Sequence, residues 1–428
     1  MKKQILVIFF EVIALTALAA AICMAWSNQE KAEVEAAYLP PVVMDQLPET
    51  MEEALSTKRV TMTAIGDIMM HQWQITRGYD AATDTFDYAD SLAYIAPYLS
   101  EADFTFGNLE TTFAGRYQGY NTDILGYACY PRFNAPEVLG NNLKDVGVDM
   151  LATANNHSLD SELQGLYSTL DYLDSIEMIH LGTARTPEEQ QELCIVEVNG
   201  ITFGFACYTY GTNGIPVPSS APYSINTLEM YETDKLEAMC DQVRALDEAG
   251  VDVVMPIIHF GTEYREMQDS WQELCVDMLF DAGADIIVGS HPHVVEPMEI
   301  REITNPDGTT RTGYVIYSMG NFISSQRYES GVMKDIGLVM DMDFEKQGDT
   351  TTLVGWRFAP TYVYWTDDVI GVVPVIEAYE NREKYSFLSE DDWVRIQDSY
   401  VKTIRTLTAI TDCPYEIVDY KYQFLISE

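Results

Sequence analysis

The chain has 428 residues, 47% of them hydrophobic and 11% aromatic, enough to bury one large core with an appendage or two modest domains. Its 67 acidic against 25 basic residues leave a formal charge of −42, a field that repels phosphate backbones and anionic lipid and argues against nucleic-acid binding. Seven cysteines without a Cys-x-x-Cys pair argue against a structural zinc site or a thioredoxin-like motif.

Met1-Lys2-Lys3 is a basic start, and Gln4 to Trp26 is apolar apart from Gln4, Glu11 and Thr16. This reads as an export segment, either a cleaved signal or a single-pass anchor with the bulk of the chain outside the cell membrane. Glu11 shortens the clean apolar stretch below the roughly 20 residues of a comfortable span. Ala19-Ala20-Ala21 offers small residues to a peptidase, and Ile22 before Cys23 is too large for a lipobox. The expected plan is a signal or anchor over 1–28, an acidic linker over 29–58, a main domain over 59–366 and a helical C-terminal extension over 367–428.

Folded sequence begins near Val60, where Val-Thr-Met-Thr-Ala-Ile predicts a strand ending at Gly66-Asp67. Asp103-Phe-Thr-Phe106 predicts another, delivering Gly107-Asn108-Leu109-Glu110. A helix is expected over 136–146, then a strand over 149–154 that leads to Asn155-Asn156-His157, then a helix over 162–175. His180, inside Met-Ile-His-Leu, belongs to no polar motif and reads as structural. Asn199-Gly200 predicts a tight hairpin that sets Cys194 opposite Phe205, so Cys194 and Cys207 lie diagonally; buried free thiols are expected, and a disulfide would need a register slip.

Val253 to Ile258 predicts a strand running into His259. Ser270-Trp-Gln-Glu273 reads as a capping box opening a helix whose Trp271, Leu274, Met278 and Leu279 share a face, ended by Gly283. Asp285 to Val288 is the next strand, delivering Gly289-Ser290-His291-Pro292-His293. The crossover makes these two strands parallel, so His259, His291 and His293 emerge at one carboxyl edge. Beyond Asn321 the alternation of 337–344 and 351–358 predicts antiparallel strands.

Five of the six histidines thus sit in polar motifs after strand-like runs, with carboxylates and amides but no thiolate among their neighbours. That is the ligand chemistry of a hydrolase centre holding two divalent cations such as Mn, Fe or Zn. Asp67 and His71 can share one ion, and Glu110 can bridge two, with Asn108 orienting it or a substrate oxygen. Asn156 offers an amide ligand, His157 a general acid, and Glu263 a partner for His259. His291 and His293, separated by a stiff proline, can reach two adjacent ions.

The ordered series Gly66-Asp67-Ile-Met-Met-His71, Gly107-Asn108-Leu109-Glu110, Asn155-Asn156-His157-Ser-Leu-Asp160, His259-Phe-Gly-Thr-Glu263-Tyr264, Gly289-Ser-His291-Pro-His293 and Tyr317-Ser-Met-Gly-Asn321-Phe322 resembles the CapA family of poly-γ-glutamate capsule synthesis proteins. The resemblance runs from about Val60 to Phe344. It implies an α/β fold similar to the calcineurin-like metallophosphatases, two packed mixed sheets flanked by helices. It also implies Asp67, His71 and His293 on one metal, Asn156, His259 and His291 on the second, Glu110 between them, His157 as general acid and Asn321 in support. The chain departs from the phosphatase pattern in Asp-x-x-x-His for the first pair and in a glutamate at the bridging position. The family's role is production of capsule or envelope polymer, and its members have been described within a membrane amide-ligase and export complex.

The function expected on these grounds is an exported metal-dependent hydrolase or transferase. Its substrate would be an anionic extracellular polymer or an envelope phosphodiester. The alternatives are a non-catalytic scaffold among membrane capsule-synthesis subunits and a secreted γ-glutamyl or peptidoglycan amidase. ATP is lacking outside the cell, which disfavours ligation there.

Overall fold

Every strand expected above from Val60 onward is present in the computed structural model, which describes residues 57–228, 233–305 and 307–426. In chain order the first strands are β1 (Lys58–Ile68), a small hairpin of β2 (Tyr79–Asp80) and β3 (Thr85–Phe86), β4 (Phe104–Leu109), β5 (Met150–Ala152) and β6 (Ile179–Leu181). Next come β7 (Cys194–Val198), β8 (Ile201–Thr209), β9 (Val253–His259), β10 (Ile286–Ser290), β11 (Met298–Thr304), β12 (Thr310–Ile316) and β13 (Asn321–Ile323). The last are β14 (Ile336–Gln347), β15 (Thr350–Trp365), β16 (Ile370–Pro374), β17 (Tyr415–Val418) and β18 (Lys421–Phe424).

They form two mixed sheets. The larger runs β17-β18-β15-β14-β1-β4-β5-β6, with β13 beside β1 and β16 beside β15; the smaller runs β11-β12-β10-β9-β8-β7. Phe104 and Phe106 of the larger sheet meet Phe205 of the smaller at ring distances of 6.3 and 5.5 Å, and Phe203 meets Phe344 at 5.1 Å. Met62, Met255 and Ile257 join this central core. On the outer side of the larger sheet, Ile65 and Ile68 pack with Leu92, Leu99, Leu139, Leu143 and Leu173 of its covering helices. Outside the smaller sheet, Val254, Ile258 and Ile287 pack with Leu236, Met239 and Leu246 of the helix Thr233–Glu248 and with Trp271, Val276 and Leu279 of the helix Ser270–Ala282. The result is a helix–sheet–sheet–helix layering around three apolar clusters.

Register then places the chemistry. β9 and β10 pair in parallel, as the crossover requires, with Ser290 opposite His259, and β8 sets Thr209 opposite the same histidine. In the larger sheet Asp67 faces both Asn108 and Asn321, and Asn108 faces Ala152. The β1 register shifts at Asp67 against both neighbours, a bulge that re-aims this residue. A Cβ at Gly66 would stand 2.0 Å from the Gly320 carbonyl oxygen, which is why only glycine lets β1 approach the turn before Asn321 there.

The Asn199-Gly200 turn has φ of 47° and 80°, and it sets Cys194 opposite Phe205, with Cys194 and Cys207 both free. β14 and β15 are antiparallel as read from their alternation.

Three expectations are corrected. The capping box of the helix Ser270–Ala282 is Asp269 with Gln272, one residue earlier than Ser270 with Glu273, because Gln272 is buried and Glu273 is not. Leu274 is 40% exposed, and Cys275, Val276 and Phe280 take its place on the core face. After residue 367 the chain is not simply helical. The helices Val375–Glu380 and Glu390–Leu407 alternate with β16, β17 and β18, which extend the larger sheet. Ile370–Pro374 is a five-residue run buried throughout, too short for a helix, and Tyr422 and Phe424 pair with Phe358 and Trp356 of β15. The export segment and nearly all of the linker lie outside the described residues; among those described, no helix is long and apolar enough to cross a membrane.

Candidate metal centre

Both sheets deliver their polar motifs to one buried rim. Asp67 and Glu110 are fully buried, and His259, His291 and His293 are 1%, 3% and 2% exposed. Ligating atoms of Glu110, His259 and His291 lie within 4.8 Å of one another, as do those of Asp67, Glu110 and His293 and those of Glu263, His291 and His293. Glu110 Oε1 stands 3.4 Å from His259 Nε2 and 3.7 Å from His293 Nε2, yet neither of its oxygens accepts a hydrogen bond. A buried carboxylate with nothing to satisfy it is costly, so the donor set fits a bound cation.

Neighbouring amides fix the ligands. Asn108 Nδ2 donates to Asp67 Oδ1 at 2.8 Å, while Asn155 Nδ2 donates to Asn108 Oδ1 at 3.1 Å. Asn108 therefore orients Asp67 rather than Glu110. His293 Nδ1 lies 3.2 Å from both Asp67 Oδ2 and Asn321 Oδ1. His259 Nδ1 faces Ser290 Oγ at 2.9 Å, the place expected for Glu263, and its Nε2 faces Asn156 Oδ1 at 3.0 Å. Glu263 is exposed and turns instead toward His291 and His293. The backbone at His291 and His293 has φ of 101° and 57°, left-handed conformations that side chains larger than glycine seldom adopt.

His71 sits slightly apart, in none of the three ligand groups. Its Nδ1 accepts the Ser325 N–H at 3.3 Å, and its ring meets Phe133 edge-on at 5.0 Å. Phe133 in turn touches the His157 ring at 4.7 Å. His180 is held by Asp174 at 3.0 Å, away from the cluster.

Proton affinities record the crowding. Burial, reinforced by the Asp67 charge, pushes the Glu110 carboxyl up to about 8. Burial also works against charge on Asp67, but the hydrogen bond and charge of His293 prevail and hold it below the usual range. For His293 burial is outweighed by Glu110 and Asp67, which raise it to about 9. Burial lowers His259 to about 3 and His71 to about 4, and takes His291 well below its ordinary value with help from His259 and His293. His259, His291 and His71 thus stay neutral near pH 7 and keep a lone pair for a cation.

A family profile described as "Bacterial capsule synthesis protein PGA_cap" matches residues 61–326, more than half of the chain. The chain belongs to this family. Among PGA_cap relatives, "Capsule biosynthesis protein CapA" of Bacillus anthracis is 27% identical over 66% of this chain and 63% of its own length. "PGA biosynthesis protein CapA" of Bacillus subtilis (strain 168) is 26% identical over 61% of this chain and 62% of its own. The chain thus matches somewhat under two thirds of the length of these relatives. A solved protein, TT1561 of Thermus thermophilus, aligns at TM-score 0.33 and 8% identity over 66% of this chain and 93% of its own, too distant to inform the reading.

Three residues of this PGA_cap centre escape the motif reading. Asp160 Oδ2 lies 2.6 Å from His157 Nδ1, forming a buried pair where the sequence reading gave Asp160 no role of its own. Tyr210 packs its ring 4.5 Å from that of His291, and its hydroxyl accepts from Asn156 Nδ2 at 3.3 Å. Asn213 accepts from the same amide at 3.2 Å and lies 3.4 Å from His157 Nε2. A signal for Tyr210 was present: it follows the apolar run Phe203 to Tyr208 much as His259 follows its own.

Proposed function

We propose that this PGA_cap member is an exported hydrolase or transferase with a pair of divalent cations, acting on an anionic capsule or envelope polymer. The observation that carries the reading is Glu110, buried, without a hydrogen bond, and shared between one ligand group on each side. Asp67, Glu110 and His293 would hold one ion, and Glu110, His259 and His291 the other, with the Asn156 amide oxygen beside it. His71 is left with Nε2 to contribute, since Ser325 occupies Nδ1. Cations held by these residues would supply Lewis-acid charge to activate water and to stabilise a developing oxyanion. These donors support a centre of the metallophosphatase-like kind, and the basic, apolar N-terminus supports a location outside the membrane.

The chain's own residues set up the proton transfer. With Nδ1–H donated to Asp160, His157 keeps Nε2 directed toward Asn213 at the edge of the cluster, where a protonated ring can donate to a departing group. Asn156 has its NH2 engaged by Tyr210 and Asn213, so its oxygen is turned toward His259 and the ions.

Full-length protein purified without chelators should carry about two Mn, Fe or Zn ions per chain. It should turn over a phosphodiester or a polyglutamate, and His293→Ala should lose both properties. Protein that stays metal-free when offered these ions would overturn the proposal. Full metal content with no turnover of any polymer or phosphodiester would favour the scaffold reading, and shortening of polyglutamate alone would favour an amidase.

A further inference from the structure

Positive charge is scarce on this chain, with 25 basic residues against 67 acidic ones, and much of it is tied down. Arg185, for example, pairs with Asp171, Asp174 and Glu189. On the loops around the metal centre, beside exposed Glu263, three arginines are held differently. Among the described residues, Arg132, Arg265 and Arg327 make no ion pair or hydrogen bond with a carboxylate, although Arg132 and Arg265 lie close enough to feel the charges of buried Asp160 and Glu296.

Each belongs to a different loop that also touches the centre. Arg132 adjoins Phe133, the ring that contacts both His71 and His157, and its guanidinium lies 4.7 Å from the Tyr120 ring. Arg265 follows Tyr264, whose ring stands 6.0 Å from that of His293. Arg327 lies two residues beyond Ser325, the donor to His71, and rests on Trp365 at 4.8 Å. Tyr120 and Tyr130, from the same loop as Arg132, are 53% and 76% exposed.

We infer that Arg132, Arg265 and Arg327 form a rim that binds an extended anionic chain and lays one of its units over the Glu110 centre. Guanidinium forks not engaged in an ion pair match carboxylate or phosphate groups, and exposed tyrosine faces match the backbone between them. A small lone anion would engage one arginine and leave the others idle. Three cations on three loops fit repeated charges along a polymer, and in a −42 field they are the places where such a polymer is attracted. The inference rests on the proposed polymer-acting centre but concerns binding, which is read separately from turnover.

The test uses full-length, metal-loaded protein at low salt, with fluorescent oligoglutamate and fluorescent oligophosphate as probes in anisotropy titrations. Arg132→Glu and Arg265→Glu should each weaken one or both probes by roughly fivefold and flatten the salt dependence. The probe affected identifies the source of the anionic groups. Arg382→Glu is the control, because its guanidinium also lacks a carboxylate and lies over Trp393 at 4.3 Å, in the C-terminal segment. It should bind both probes as wild type does. Arg132→Gln, with an unchanged melting temperature, gives the same test without a reversed charge. Rim variants that bind like wild type would overturn the inference, as would an Arg382→Glu loss equal to theirs, which would signal bulk charge alone. A lost rim effect with turnover intact sinks only this inference, and intact rim binding without turnover sinks only the hydrolase reading.

Discussion

Asp160 keeps one carboxylate oxygen on His157 and on the Phe133 N–H, at 2.6 and 2.5 Å. Burial pushes its carboxyl up, while the hydrogen bond and charge of His157 pull it part of the way back. Asp160→Asn preserves the shape but removes the charge that steadies a protonated imidazole. It should lower kcat by roughly a hundredfold with metal content unchanged; equal kcat at every pH would show that the pair only holds the loop. Glu296 offers a second residue-scale test. Fully buried and bonded to Gln272 Nε2 at 2.7 Å, it is raised by burial from 4.5 to about 8. The folded state holds this proton more tightly than the unfolded chain, so stability falls as pH rises from about 4.5 to about 8 and levels off above. Glu296→Gln should remove that slope, worth about 1.4 kcal/mol per unit of displaced affinity, and melting curves at pH 5 and pH 8 measure it. Neither residue was legible as buried, since an acid three positions after a histidine ordinarily reads as a cap. Only the fold shows that each is buried against a polar partner.

At the scale of elements, the helix Glu390–Leu407 lies beyond the part matched to PGA_cap yet holds two loops beside the centre. Arg395 pairs with Asp335 at 2.9 Å and covers the Tyr328 ring at 4.0 Å. Lys402 pairs with Glu266 and donates to the Gly331 carbonyl at 3.1 Å. The Lys334 carbonyl next to Asp335 accepts from Asn321, which flanks His293. Arg395→Ala leaves Asp335 buried and unpaired, and urea unfolding should show a loss of about 3 kcal/mol. A loss indistinguishable from zero would mean that the helix merely covers the sheet. Strand and helix assignments were legible wherever apolar periodicity ran unbroken, as in β9, β10 and the helix between them. They failed at Asp269 against Ser270, where two overlapping capping patterns compete and only burial of Gln272 decides. They failed again at β16 to β18, whose short runs gain their identity from pairing with distant β15.

For the molecule as a whole, the −42 charge is a standing repulsion that the fold must overcome. Raising salt from about 10 mM to about 500 mM should therefore raise the melting temperature, because screening relieves repulsion among carboxylates more than it weakens the fewer ion pairs. A fall over that range would mean that surface pairs such as Arg301 with Asp277 matter more than the net field. Convergence of distant motifs was legible because parallel crossovers force strand ends to one edge. The facing of two sheets was not legible from local pattern and came only through the family resemblance. That facing has its own consequence. The larger sheet brings Asp67, Glu110 and Asn156, the smaller His259, His291 and His293, and neither layer alone owns a complete ligand group around Glu110. Ions seated there would act as rivets through the middle of the sandwich, and the force needed to peel one layer from the other would gauge whether they are in place.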